Sequence, residues 1–88
     1  SIDDNEVTNL KKLCDESVKM GVAKGKYNIK YKINELIQQA RQSPEPEPQL
    51  NLVREAIEMF YASPNGYGKF INNILPLSSV LPLFNANL

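Results

Sequence analysis

Histidine is missing from this sequence altogether, and cysteine occurs once. Without histidine the chain lacks the side chain whose ordinary pKa best suits general acid–base work near neutral pH. A lone cysteine and no histidine leave no usual zinc ligand set, so no metal and no other cofactor is expected. One thiol cannot form an internal disulfide framework; it fits a reducing compartment, which makes the cytoplasm the expected location. An excess of either charge is also missing, since ten basic and ten acidic side chains sum to zero. No long-range field of one sign therefore steers the whole chain toward nucleic acid or an anionic membrane, although a local patch remains open. The acidic start, with Asp3, Asp4 and Glu6, does not have the pattern of a signal peptide. A membrane span is not expected either. The most apolar stretch, 70–88, is interrupted by Asn72, Asn73, Ser78, Ser79 and two prolines, far short of the roughly 20 apolar residues a spanning helix needs.

What is present reads as one small folded domain over residues 1–88. The hydrophobic share of 42% and the charged share of 23% are ordinary globular values, so wholesale disorder is not expected. A chain of this size buries only roughly 60–65% of its unfolded surface, and its stability margin is thin.

Hydrophobic spacing sets the fold class. Val7, Leu10, Leu13, Cys14, Ser17, Val18 and Gly21 recur at steps of three and four, which predicts a first helix over about 3–23. Asp3 and Glu6 have the spacing of a capping box, and Gly21 or Gly25 can supply the stop. The next stretch fits two patterns. Tyr27, Ile29, Tyr31 and Ile33 alternate with polar residues as in a half-buried strand. Ile29, Ile33, Leu36, Ile37 and Ala40 also make a helical face, with Asn28 placed to cap it. The helical pattern runs on to Gln42 and no partner strand exists elsewhere, so a helix over 29–42 is expected. Ser43-Pro44-Glu45-Pro46-Glu47-Pro48 reads as a stiff Pro-rich spacer over 43–48. A third helix over 48–62 carries Leu50, Val53, Ile57, Phe60 and Tyr61, widened by Leu52, Ala56 and Met59. So broad a face suggests the central helix of the bundle. Ser63-Pro64-Asn65-Gly66 is a turn signal, and a fourth helix over about 68–75 would send Phe70, Ile71, Ile74 and Leu75 inward. The expectation is an all-α fold: a small bundle of three to four helices, a Pro-rich spacer and an irregular apolar C-terminal segment.

Catalytic candidates reduce to ordinary structural roles. Cys14 lies on the apolar stripe of the first helix and reads as a core thiol. Glu55 and Glu58 lie three apart on a polar face, where carboxylates are usually just solvated. Asn65-Gly66-Tyr67-Gly68-Lys69 has glycines, a helix start and a cation, as anion-binding turns do. Its spacing is not that of a P-loop, no strand precedes it, and a structural turn is the expectation. No catalytic residue is assigned, and an enzyme is not expected.

Two stretches do suggest binding. Between Ser17 and Asn34 lie Lys19, Lys24, Lys26, Lys30 and Lys32 with no acidic residue. Tyr27 and Tyr31 interleave with them, so lysines could meet phosphates while tyrosines stack on bases. Lys69 could add to such an anionic contact. The second stretch is 70–88, which contains no charged side chain and repeats Leu-Pro-Leu at 75–77 and 81–83. Leu77, Val80, Leu81, Leu83 and Phe84 follow Pro76, and burying large apolar side chains is worth roughly 1.5–3 kcal/mol each. They must pack on this chain or on another. The expected function is a non-catalytic protein–protein interaction module, an adaptor, regulatory or assembly subunit, using that apolar segment on a partner or on a second copy. The alternative is a nucleic-acid-binding module using the Lys/Tyr segment 19–32.

Overall fold

The computed structural model of the chain describes residues 3–74. They form four helices, α1 (Asp4–Met20), α2 (Val22–Arg41), α3 (Pro46–Tyr61) and α4 (Tyr67–Ile74). No strand occurs among the described residues, and the chain has the all-α architecture expected from its spacing. The apolar C-terminal segment beyond Ile74 lies outside the described residues.

Half of the expected capping box forms at the start of α1. The Asp3 carboxylate accepts the N–H groups of Asn5 and Glu6, at 3.0 and 3.3 Å, satisfying donors the first turn would otherwise leave unpaired. Glu6 does not close the box. Its carboxylate meets Lys32 of α2 at 3.4 Å, so the side chain that would cap its own helix ties two helices together instead.

The boundary between α1 and α2 differs from the expectation of helices over 3–23 and 29–42. A single residue, Gly21, separates them, with φ at 87°. This is backbone that side chains with a Cβ rarely adopt, and it lets one residue stop α1 and start α2. The segment 22–28 is therefore the first two turns of α2. Gly25 lies inside it as a point of contact: a Cβ there would come within 2.6 Å of the Ser17 carbonyl oxygen and 2.9 Å of the Phe70 ring. Ser17 on α1 is fully buried at the same place.

The spacer is also shorter than the expected 43–48. Pro46 is the first residue of α3 and Pro48 lies in its first turn. The N–H groups of a first turn have no partner within the helix, so proline there forfeits no hydrogen bond and its fixed φ suits the helix. Only 42–45 remains as connection, tightened by the Glu45 N–H donating to the Ser43 hydroxyl at 3.2 Å.

The core is continuous through all four helices. Leu10 and Cys14 from α1 meet Ile29, Ile33, Leu36, Ile37 and Ala40 from α2, the face that helical spacing picked out. Leu50, Val53, Ile57 and Phe60 enter from α3, and Tyr67, Phe70, Ile71 and Ile74 from α4. Phe60 and Tyr67 pack edge to face, their ring centroids 5.8 Å apart, a favoured aromatic geometry. The central helix is α2 and not α3. It packs against each of the other three, whereas α1 and α3 scarcely touch. The widened face of α3 is correspondingly only part core: Ala56 is buried, but Leu52 and Met59 stay exposed.

The contact at Gly25 gives the first test. Gly25→Ala adds helix propensity of about 1 kcal/mol but forces a methyl against α1 backbone, an overpacking that costs about 1–3 kcal/mol. We expect a net loss of stability in urea denaturation. Ser17→Ala, which deletes a buried hydroxyl without a partner and leaves the volume nearly unchanged, should be neutral or stabilising. Gly25→Ala more stable than the parent would mean that the two helices are not held this close.

Candidate functional site

Two surfaces stand out once the helices are in place. The first is the outer face of α2. Because Ile29 and Ile33 point inward, Tyr27 and Tyr31, each two residues away along the helix, point outward. They are 67% and 73% exposed, whereas tyrosine is on average an intermediately buried residue. At 3.6 residues per turn, Lys24 and Lys30 fall on the two flanks of this pair, with Asn34 and Gln38 continuing the face. All four are exposed. The Lys26 ammonium lies 4.9 Å from the centre of the Tyr27 ring, a cation–π contact that leaves the other side of the ring open to a partner.

Not every expected basic residue joins this face. Lys32 is turned toward α1, with 20% of its side chain exposed, and is held by Glu6 at 3.4 Å and Glu35 at 3.8 Å. Two carboxylates already compensate its charge. Lys19 lies on α1, where it lines a hollow with Asn65 and Tyr67, and Lys69 lies on α4. Leu77, Val80, Leu81, Leu83 and Phe84 lie outside the described residues.

The second surface was not evident in the sequence. Where α1 and α3 diverge they leave a groove of about 270 Å³. Among the described residues its apolar lining is Val7 from α1 with Leu52, Ala56 and Met59 from α3. Met59 is 53% exposed and Leu52 42%. Asp3, Asp4 and Glu55 line the same groove, giving it an acidic rim. Leu52, Ala56 and Met59 appear in the sequence as a widening of one helical stripe. The sequence contains no signal that would pair them with Val7, because that pairing depends on how α1 and α3 separate across α2.

The catalytic and anion-binding candidates have structural uses. Cys14 is 1% exposed, and burial, helped by the neighbouring charge of Asp15, pushes its thiol pKa up to about 12. The reactive thiolate is therefore absent at neutral pH. Tyr67 is buried against Phe60, and a Cβ on Gly68 would fall on the Tyr61 carbonyl. The glycine thus lets α4 approach the end of α3. No cluster of three or more metal-ligating side chains occurs among the described residues. No described helix is long and apolar enough to cross a membrane. Comparison of the chain with protein-family models, with curated proteins and with solved structures gives no match.

The buried thiol is directly testable. At pH 8 Cys14 should react with a thiol reagent only as fast as the chain opens, and at once in denaturant. Its raised pKa also carries a sign. Below the unfolded value of 9.0 the folded and unfolded chains both hold the proton, and its full contribution is present. As pH rises from there toward about 12, only the unfolded chain ionises, and stability falls. Cys14→Ala should lose that portion of the alkaline decline. Rapid labelling of the native chain would contradict the packing of α1 on α2.

Proposed function

We propose that this chain is a non-catalytic protein-binding module, an adaptor or assembly component rather than an enzyme. The observation that carries this reading is the acid-rimmed apolar groove between α1 and α3. Leu52 and Met59 stand in it half exposed although neighbouring side chains on the same helix are buried. Apolar side chains gathered in a concave site, with charge confined to the rim, match the anatomy of protein interfaces. Methionine suits such a role because its flexible thioether adapts to different partners. The uncharged stretch 70–88 supports the same reading from sequence chemistry, since Leu77, Val80, Leu81, Leu83 and Phe84 need an apolar neighbour on this chain or another.

A second reading, binding of single-stranded nucleic acid, is favoured by one observation: Tyr27 and Tyr31 are exposed one helical turn apart with Lys24 and Lys30 beside them. Stacking on two rings with phosphate contacts from the flanking lysines is a known mode of such binding. It ranks second because Lys32 is spent on internal ion pairs and the net charge of zero offers no wider attraction.

Leu52→Asp combined with Met59→Lys separates the readings. Both positions are exposed, so the helical circular dichroism should persist. A partner seen by native mass spectrometry with the parent chain should be lost from this variant, and its undiminished retention would remove the groove from the interface. Ending the chain after Leu75 tests the apolar segment in the same way: a shortened chain that folds and loses its partner supports a role for 76–88 in binding. For nucleic acid, Lys24→Glu with Lys30→Glu should abolish retention of an oligonucleotide at low salt, and affinity should fall steeply as salt rises. If the parent chain retains no oligonucleotide at low salt, the second reading ends.

A further inference from the structure

We propose that the partner includes a second copy of this chain, bound head to tail, with the Tyr27–Tyr31 face of α2 in one copy seated in the α1–α3 groove of the next. The proposal rests on the reading of the chain as a protein-binding module and names an occupant for its groove.

Complementarity is the reason. The groove offers apolar side chains within a rim of Asp3, Asp4 and Glu55. The α2 face offers two exposed aromatic rings between Lys24 and Lys30, with Lys26 beside Tyr27. An apolar centre meets an apolar centre, and a basic border meets an acidic one, which is the arrangement that steers and orients association. Tyrosine brings about 150–250 Å² of burial at little entropic cost, and thioether–ring contacts of the kind Met59 could make are favourable. The two surfaces share no residue, one belonging to α2 and the other to α1 and α3. A copy can therefore use both at once, and the contact is heterologous. Such contacts close into rings or continue as open chains. Two tyrosines and their flanking lysines cover less than the roughly 800 Å² per partner of a stable interface, so the association is weak and grows with concentration.

Sedimentation velocity on the full chain from about 10 μM to about 1 mM should show an average mass that rises with concentration and falls in high salt. Two charge reversals at exposed positions separate the surfaces. Glu55→Lys disables the groove and leaves the face, whereas Lys30→Glu disables the face and leaves the groove. Each alone should weaken association at least ~10-fold. Their equimolar mixture should reach a larger average mass than either variant alone, because the intact face of one meets the intact groove of the other and the two reversed positions are again opposite in charge. A parent chain that stays monomeric throughout overturns the proposal, as does a mixture no larger than the separate variants. Methyl shifts at Met59 that respond to dilution only after Leu75–Leu88 is deleted also overturn it, since the groove would then belong to the chain's own C-terminal segment. A monomer whose Leu52→Asp, Met59→Lys variant still loses a different co-purified protein overturns self-association alone. A monomer in which that variant loses nothing removes the groove from the interface as well.

Discussion

The close crossing of α1 and α2 is the constraint on which the rest of this bundle depends. Gly25 lies against the backbone of Ser17, with the Phe70 ring of α4 on the same spot, so three helices meet where one side chain is missing. If Gly25 carried a Cβ, α2 would have to move away from α1, and Phe70 would lose its seat. Gly21 complements this contact by turning the chain within one residue. The first two turns of α2 then lie beside the last turns of α1 and do not trail off as a loop. A core this small has few other places to recover the loss. The Lys32–Glu6 ion pair at 3.4 Å ties the same two helices nearer their other ends. It is partly exposed and worth about 1 kcal/mol or less.

A central α2 explains where both candidate surfaces lie. A helix packed by neighbours on its inner side has one outward face left, and on α2 that face carries Tyr27 and Tyr31. Helices α1 and α3 both lean on α2 and scarcely on each other. Two cylinders resting on a third with little mutual contact leave a furrow, and the side chains along it are Val7, Leu52, Ala56 and Met59. The exposure of Leu52 and Met59 thus follows from the packing order of the helices.

The sequence made the inner faces legible and the joints obscure, for physical reasons. Spacing at three and four identified most inward residues of α1, α3 and α4, and of α2 from Ile29 onward, because burial imposes that period directly. It also placed Val18 inward, which is exposed, and passed over Tyr67, which is buried. The alternation Tyr27, Ile29, Tyr31, Ile33 looked equally like a strand. Two residues turn a helix by about 200°, close to the 180° of a strand, so over four positions inward and outward alternate almost alike. Length and the missing partner strand decided correctly for helix, but not that it begins at Val22, since a one-residue stop at Gly21 leaves no polar loop to read. Pro46 misled in the opposite direction. Pro48 was expected to open the third helix, but Pro46 too suits a first turn although it would break a helix interior, and only knowing where α3 starts distinguishes the two. The groove lay beyond sequence reasoning because it is made by helices that scarcely touch.

Charge balance has a different meaning in the folded chain than in the composition. Ten charges of each sign cancel in the total, which argued against any strong electrostatic preference. Folding sorts part of them in space. Lysines of the stretch 24–30, which contains no acidic residue, flank the aromatic face of α2, while Asp3, Asp4 and Glu55 gather on the rim between α1 and α3. Where a lysine of α2 can reach a carboxylate of α1, it does so, as Lys32 does with Glu6. Lys24 and Lys30 stay exposed on the same helix, and the rim carboxylates line the furrow between two others. At physiological salt the field of each patch dies away within about 8 Å, so neither is neutralised by the other across the molecule. A chain with no net charge thus presents a basic and an acidic surface, each with apolar side chains at its centre, and such a pairing gives a neutral molecule the means to orient a contact by charge.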